Sequence, residues 1–290
     1  MQLIADAGST KTVWSLLTRS GHSEDFQTEG INPFFQSEND IADIVSNRLL
    51  SQLAKHLWVG PITNIYFYGA GCTKEKSVIV KNALSRFFKK SEIVVDSDMV
   101  GAAIALFGKQ TGVACILGTG SNSCLWSDGQ IKFQVPSLGF ILGDEGSGGA
   151  LGKRLVADLL KNQLNEELKH KFLTEYNLTQ ADIVERVYRQ PLPNRFLASL
   201  SKFCADNISD ENIKALVKRH FAEFADRILV QYKNFALSAG IEDLKFGFVG
   251  SVAYYYEPFL REVMTERGLQ ISEILKDPIK NLSNHLIVNN

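Results

Sequence analysis

Five short stretches of this 290-residue chain carry residue types that could do chemistry. The first, IADAGSTKT (4–12), ends an apolar run on Asp6, then offers a glycine and the donors Ser9, Thr10 and Lys11. Its spacing is not that of a P-loop, GxxxxGK[ST]. Tight turns that expose backbone amides beside hydroxyls can still hold phosphate oxygens. The second, ILGTGSN (116–122), repeats the idea with Gly118, Thr119, Gly120, Ser121 and Asn122. A carboxylate beside phosphate is repulsive unless a Mg²⁺ ion lies between them, so Asp6 reads as either a metal anchor or a turn cap. The third, VVDSDMVGA (94–102), ends a strand on two aspartates before a helix. Asp98 there suits a general base that takes a proton from an attacking hydroxyl, or a helix N-cap, with Asp96 the weaker candidate. The fourth, LGDEGSGG (142–149), pairs Asp144 with Glu145 among glycines. Two carboxylates can accept the hydroxyls of a sugar; a metal site or an acidic surface turn would look the same. The fifth, FVGSVA (248–253), sets Gly250 and Ser251 at the start of a helix, where a flat ring could pack closely. Asn32 in GINPF either reaches a substrate or holds its turn before Pro33.

The elements that must position these residues follow from hydrophobic periodicity and turn residues. Strands are expected at 2–5, 12–18, 24–31, 64–71 and 92–98, with helices at Ser37–Leu57 and 74–89. The second of these helices ends on the basic residues Arg86, Lys89 and Lys90, which suits a helix C-terminus. This part therefore reads β-β-β-α-β-α-β-α. The pattern then restarts with an apolar strand entering a glycine turn over 112–122 and strands at 123–127 and 132–136, the last two joined by an Asp128-Gly129 hairpin turn. A long helical stretch runs from Gly148 to about Ala239, broken near Pro191 and Pro193. One more strand leads into the fifth stretch, and a last helix begins near Asp277. Two strand–Gly–Ser turns of similar build point to two halves of similar construction.

Composition narrows the class. The chain is 45% hydrophobic and 22% charged, with a net charge of −1. It lacks the basic excess of a nucleic-acid binder. No apolar run approaches the ~20 residues needed to span a bilayer, and no secretory signal is visible, so no membrane partner is expected and a cytoplasmic location is. Cys72, Cys115, Cys124 and Cys204 have no CxxC spacing and read as reduced, buried thiols. The five histidines show no metal-ligand spacing.

Taken in order, DAGSTKT, Asp98 at a strand end, LGTGSN, LGDEGS and VGSVA resemble the ASKHA superfamily. Within it the chain is similar to the BadF/BadG/BcrA/BcrD-type ATPases and N-acetylglucosamine kinases, over nearly its whole length. The resemblance implies an α/β protein of two ribonuclease-H-like lobes, each with a mixed central sheet, and ATP held in the cleft between them. One lobe would be residues 1–102, joined by the last helix at about 276–290. The other would be 103–275, with a helical insertion at about 148–240. Hinges are implied near Asp98 and Gly101.

Carried over by position, the first phosphate loop falls on Asp6 to Thr12, so that Gly8, Ser9, Thr10, Lys11 and Thr12 face nucleotide and Asp6 faces Mg²⁺. The second falls on Gly118 to Asn122 and the adenosine motif on Gly250, Ser251 and the residues after them. The catalytic aspartate is Asp98, and the sugar contacts are Asn32, Asp98, Asp144 and Glu145. The implied reaction is transfer of the ATP γ-phosphoryl group to a sugar, N-acetylglucosamine first, at the 6-hydroxyl. A homodimer is compatible with it. The alternative is an ATPase that acts as a conformational activator of a protein partner. Two departures from the family pattern stand out, the first bearing on the sugar and the second on the hinge at the last helix. Pro136-Ser137-Leu138-Gly139 stands where such kinases often carry Gly-Gly-Trp-Gly, and DPIKNLSN opens the last helix in place of a Gly-Ala pair.

Overall fold

Leu3, Ile4 and Ala5 are all fully buried, as a strand covered on both faces must be. That strand, β1 (Gln2–Ala7), is central to a five-stranded sheet ordered β3-β2-β1-β4-β5. The other strands are β2 (Lys11–Leu17), β3 (Ser23–Glu29), β4 (Asn64–Gly69) and β5 (Glu92–Ser97). β1 runs antiparallel to β2 and parallel to β4, which runs parallel to β5. The register sets Asp6 opposite Val13 and Tyr68 at the carboxyl ends of β1 and β4. Open α/β sheets bind their ligands at such ends. The computed structural model describes residues 1–18, 21–56 and 60–288.

This sheet belongs to the first of two units, Met1–Gln110 with Asp128–Ile131 and Asp277–Asn290. Its helices are α1 (Glu38–Ile44), a wide π segment (Val45–Leu49), α2 (Leu50–Leu53), α3 (Ser77–Ser85) and α4 (Asp98–Phe107). The expected β-β-β-α-β-α-β-α order is the observed one. A capping box starts α1: the Ser37 hydroxyl accepts the Asp40 N–H (3.3 Å) and the Asp40 carboxylate accepts the Ser37 N–H (2.8 Å). The expected end of this helical stretch at Leu57 lies outside the described residues. The helix foreseen at 74–89 is the shorter α3. Arg86 is its C-cap and reaches back to Glu38 and Asn39 on α1, while Lys89 and Lys90 lie beyond it. The core centres on Trp14 and Phe67, whose ring centroids are 5.7 Å apart. Trp14 Nε1 donates to Thr28 Oγ1 (3.0 Å), which satisfies its buried N–H.

The second unit, Thr111–Ser127 with Lys132–Lys276, repeats the plan. Its sheet is ordered β10-β9-β6-β7-β8, from β6 (Gly112–Leu117), β7 (Ser121–Ser127), β8 (Gln130–Phe133), β9 (Lys245–Val249) and β10 (Gln270–Leu275). Here too the central strand, β6, has an antiparallel partner, β7, on one side and a parallel one, β9, on the other. The Asp128-Gly129 turn is present, with φ of 53° and 74°, the two-residue hairpin geometry. So tight a turn starts the return strand at Gln130, not at Lys132 as expected. β10, which the sequence reading missed, is a partly exposed strand with a register shift between Ile271 and Ile274.

The remaining helices are α5 (Gly139–Leu142), α6 (Gly148–Leu160), α7 (Glu166–Glu175), α8 (Gln180–Tyr188), α9 (Pro193–Leu200), α10 (Lys202–Asp206) and α11 (Glu211–Phe224). A second π segment (Ala225–Leu229) leads to α12 (Val230–Ser238), then α13 (Ser251–Tyr255), α14 (Glu257–Glu266) and α15 (Ile279–Val288), which returns to the first unit. Residues 289–290, at the expected end of that last helix, lie outside the described residues. Pro193 sits in the first turn of α9, where its missing N–H costs nothing. The core of the second unit is rich in fully buried aromatics, among them Phe172, Phe203, Phe221, Phe246 and Tyr232. All four cysteines are buried and free. Among the described residues no helix is long and apolar enough to cross a membrane.

Candidate active site

In the first unit the turn from β1 to β2 is held from within. Gly8 N–H donates to the Lys11 carbonyl (2.9 Å), and Gly30 N–H donates to the Thr10 carbonyl (3.1 Å). Gly30 passes so close that a Cβ there would lie 2.4 Å from the Ser9 carbonyl oxygen. Carbonyl oxygens, which would repel a phosphate, are thereby taken up by protein donors. Thr12 departs from its expected role: it is fully buried, and its hydroxyl accepts the Ile31 N–H (3.1 Å), so it braces the turn from behind. Lys11 Nζ lies 2.9 Å from Asp277 Oδ1 in an exposed pair.

Asp6 and Asp98 stand at the ends of β1 and β5. The Asp6 carboxyl is pushed up to about 7, first by burial, then by the charges of Asp98 and Asp277, with Lys11 opposing. Asp98 is pushed up to about 6 by burial, against a bond from Met99 N–H to its Oδ1 (2.9 Å). Asp98 is not the N-cap of α4. Ser97 is, with its hydroxyl accepting the Val100 N–H at 3.3 Å. Asp96 is exposed and accepts the Ser97 N–H (2.7 Å). Asn32 is buried and does hold its turn: Phe34 N–H donates to its Oδ1 (2.9 Å) and its own N–H donates to Gln36 Oε1 (2.7 Å). It also does something unforeseen, for its Nδ2 donates to Ser9 Oγ (2.8 Å) and ties the loop to the phosphate turn.

A divalent cation fits this half. Among the described residues no cluster of three or more His, Cys, Asp or Glu side chains could hold a metal ion. Asp6 is nonetheless a half-buried carboxylate under repulsion from two others. A cation brought by phosphate oxygens and water would relieve that repulsion with Asp6 as its one protein contact.

In the second unit, Gly118 N–H donates to the Gly120 carbonyl (3.0 Å), while Gly148 and Gly149 at the start of α6 donate to the carbonyls of Gly118 (2.8 Å) and Thr119 (3.0 Å). The first amides of α6 are thus spent on fixing the turn. Gly250, at φ 119°, closes against the same turn, since a Cβ there would lie 2.4 Å from the Leu117 carbonyl oxygen. Ser251 after it is exposed. Asn122 belongs to β7, and its Oδ1 accepts both the Ser123 N–H (2.9 Å) and Gln134 Nε2 (2.9 Å), so it has less left for a ligand than its place in LGTGSN suggested.

Asp144 and Glu145 do not form one acceptor pair. Asp144 has a left-handed backbone (φ 59°), and the two carboxylates take different partners. The buried Asp144 carboxylate accepts the Ser121 N–H (3.3 Å) and lies against Gly120, so it supports the second turn. Burial raises its pKa, and that bond opposes the rise. Glu145 instead pairs with Arg227 Nε at 2.8 Å. Sequence reasoning missed Ser97, Gly30, Gln36 and Asp277. Of these Ser97 had a signal, a hydroxyl directly before the helical run.

Each mixed sheet thus has a glycine turn after its central strand, and in the first unit a carboxylate follows β5. Among solved structures the chain is similar to a candidate N-acetylglucosamine kinase of Porphyromonas gingivalis, at 43% identity and a TM-score of 0.93, over 100% of this chain and 99% of the other. The chain belongs to the same family of N-acetylglucosamine kinase-like sugar kinases. Its fold is shared by a candidate N-acetylglucosamine kinase of Chromobacterium violaceum, at 17% identity and a TM-score of 0.75, over 99% of each chain. It is shared also by a ROK family glucokinase of Streptomyces griseus, solved with glucose and AMPPNP, at 15% identity and a TM-score of 0.58, over 99% of this chain and 98% of the other. No family model and no curated protein matches the chain.

Proposed function

We propose that the protein transfers the γ-phosphoryl group of ATP to the 6-hydroxyl of N-acetylglucosamine. The observation that carries this reading is Asp98. It follows β5 directly as the first residue of α4, leaves the capping to Ser97, and burial pushes its carboxyl up to about 6. A carboxylate with that pKa is ionised at neutral pH yet more basic than an ordinary aspartate, as a general base should be. The amino sugar follows from the 43% identical relative.

In this reading Asp98 accepts the proton of the attacking hydroxyl. Amides and hydroxyls of Gly8–Lys11 and Gly118–Ser121 hold the phosphates, with Gly250 and Ser251 beside the nucleoside. Asn32 and Asp144 accept or donate to sugar hydroxyls with the capacity their internal bonds leave. Mg²⁺, held through Asp6, supplies neutralisation of phosphate charge. The four reduced thiols suit a cytoplasmic enzyme. A homodimer is part of the proposal, and light scattering in solution reads it directly. The main test is ADP release with Mg²⁺ across hexoses and amino sugars. N-acetylglucosamine should give the highest kcat/KM, and ADP release with no sugar would sink the reading.

A further inference from the structure

Within the first unit, the turn from β1 to β2 meets the approach to the last helix in one ion pair. Lys11 Nζ lies 2.9 Å from Asp277 Oδ1, and both residues are exposed. Asp277 opens DPIKNLSN, one of the two places where this chain departs from the family pattern, so the pair is a feature of this sequence.

The two partners differ in how firmly they are placed. Asp277 stands directly before Pro278, which confines its backbone to an extended conformation. Helix α15 then begins, anchored by the buried Ile279 and Leu282. Leu282 N–H donates to the Pro278 carbonyl (2.9 Å), which joins the helix to the residue beside Asp277. The backbone of Lys11 is fixed as well, since its carbonyl accepts the Gly8 N–H (2.9 Å). Its ammonium, by contrast, stands in water on a flexible four-carbon stem. It can change partner without moving the turn, and Asp277 cannot follow it.

Charge at this spot is one-sided. The charges that bear on the Asp6 carboxyl are those of Asp98, Asp277 and Lys11. Three carboxylates thus share one ammonium, and Asp277 holds it. An exposed ion pair contributes little, whereas an ammonium on a phosphate makes a charge-assisted bond. An entering phosphate therefore wins Lys11. Asp277 is then left without its partner, close enough to act on Asp6 and on whatever Asp6 holds.

We propose that Asp277 is a positioning residue for nucleotide: it holds Lys11 in the free protein, and once phosphate draws Lys11 away, its freed carboxylate joins Asp6 in demanding a divalent cation with the nucleotide. Asp6 is the direct contact to that cation, and Asp277 acts on it across space. The result is selection. Metal-free nucleotide brings negative charge alone and is disfavoured, while nucleotide with Mg²⁺ is admitted. This inference rests on the ATP-dependent kinase reading and deepens it.

Calorimetric titration of the full chain with ADP, once in EDTA and once in excess Mg²⁺, tests it. The quantity read is the factor by which Mg²⁺ tightens ADP. Asp277→Asn should tighten metal-free ADP by about tenfold, the order of one charge–charge interaction near a protein surface. The Mg²⁺ factor should shrink to match, with the unfolding midpoint kept, and Asp277→Glu should restore it. Lys11→Gln should weaken ADP in both buffers. In that background Asp277→Asn should still shrink the Mg²⁺ factor, because the carboxylate acts on the cation as well as on Lys11. An unchanged factor in Asp277→Asn overturns the proposal. So does weaker metal-free binding in that variant, which marks Asp277 as a prop for Lys11, and so does loss of the effect once Lys11 is replaced. Failure of the kinase reading looks different. If ADP binds the parent in neither buffer, both readings fall together. If the Asp277 effect holds but no sugar gives ADP from ATP, the sugar-kinase reading alone falls.

Discussion

The Ser97 hydroxyl, and not the carboxylate of its neighbour Asp98, accepts the Val100 N–H at the start of α4. Capping and chemistry thus fall to different residues. Asp98→Asn should lower kcat by about 10²–10⁴, the usual worth of a positioned base, with an unfolding midpoint close to that of the parent. Ser97→Ala should instead cost about 1 kcal/mol of stability. Denaturant unfolding beside ADP-release kinetics separates the two. An Asp98→Asn variant at full turnover would end the base assignment.

Activity should follow the ionisation of Asp98. The pH profile of kcat/KM should rise through about 6 and level off above it. Because Asp6 titrates near 7, more Mg²⁺ should be needed for half-maximal rate at about pH 6 than at about pH 8. A rate flat from about pH 5 to pH 8 would contradict both.

Stability should run the other way. Asp6 and Asp98 have folded-state values above the ordinary 3.8, so between 3.8 and about 7 the folded chain holds more protons than the unfolded one. Their contribution is therefore fully present at low pH and is lost as pH rises through 6 to 7. In metal-free buffer Asp6→Asn should be more stable than the parent at about pH 8, and the advantage should shrink towards about pH 4. Melting curves of both proteins across that range read the difference.

Gly30→Ala should move the first glycine turn. The new Cβ would meet the Ser9 carbonyl at 2.4 Å, a contact with backbone that has to shift. Overpacking of this kind costs about 1–3 kcal/mol. The KM for ATP should rise more than the KM for the sugar, which initial-rate kinetics with each substrate varied in turn would show.

Asn32→Ala removes the donor to Ser9 Oγ and the acceptor for Phe34 N–H together. Each such bond is worth about 0.5–1.5 kcal/mol. Because one residue serves both the loop and the turn, the KM values for ATP and for sugar should rise together. A rise confined to the sugar would mean that the Ser9 bond does not matter for nucleotide.

Much of this was legible because hydrophobic period is local. IADAGST and ILGTGSN each end a strand buried at alternate or successive positions, and the β-β-β-α-β-α-β-α order can be read from such runs. Asp6 and Asp98 were legible as strand-end carboxylates. What escaped depends on chain reversal or on distant partners. β10 is partly exposed and gains its identity by pairing with β9. The different partners of Asp144 and Glu145, the Ser121 N–H and Arg227, lie far along the chain and leave no local signal. Asp277 stands 271 positions beyond Asp6 in the sequence, and its effect on the Asp6 carboxyl is a matter of space.

The carbonyls of Thr10, Lys11, Gly118, Thr119 and Gly120 are each held by a backbone N–H of their own unit. Both turns therefore keep their shape without nucleotide. An ordering cost that flexible loops meet at the moment of binding has here been met during folding. Nucleotide association should accordingly show little of the unfavourable entropy that marks loops ordered by their ligand, and the amides of Gly8, Gly30, Gly118, Gly148 and Gly149, which donate these bonds, should resist hydrogen exchange in the free protein.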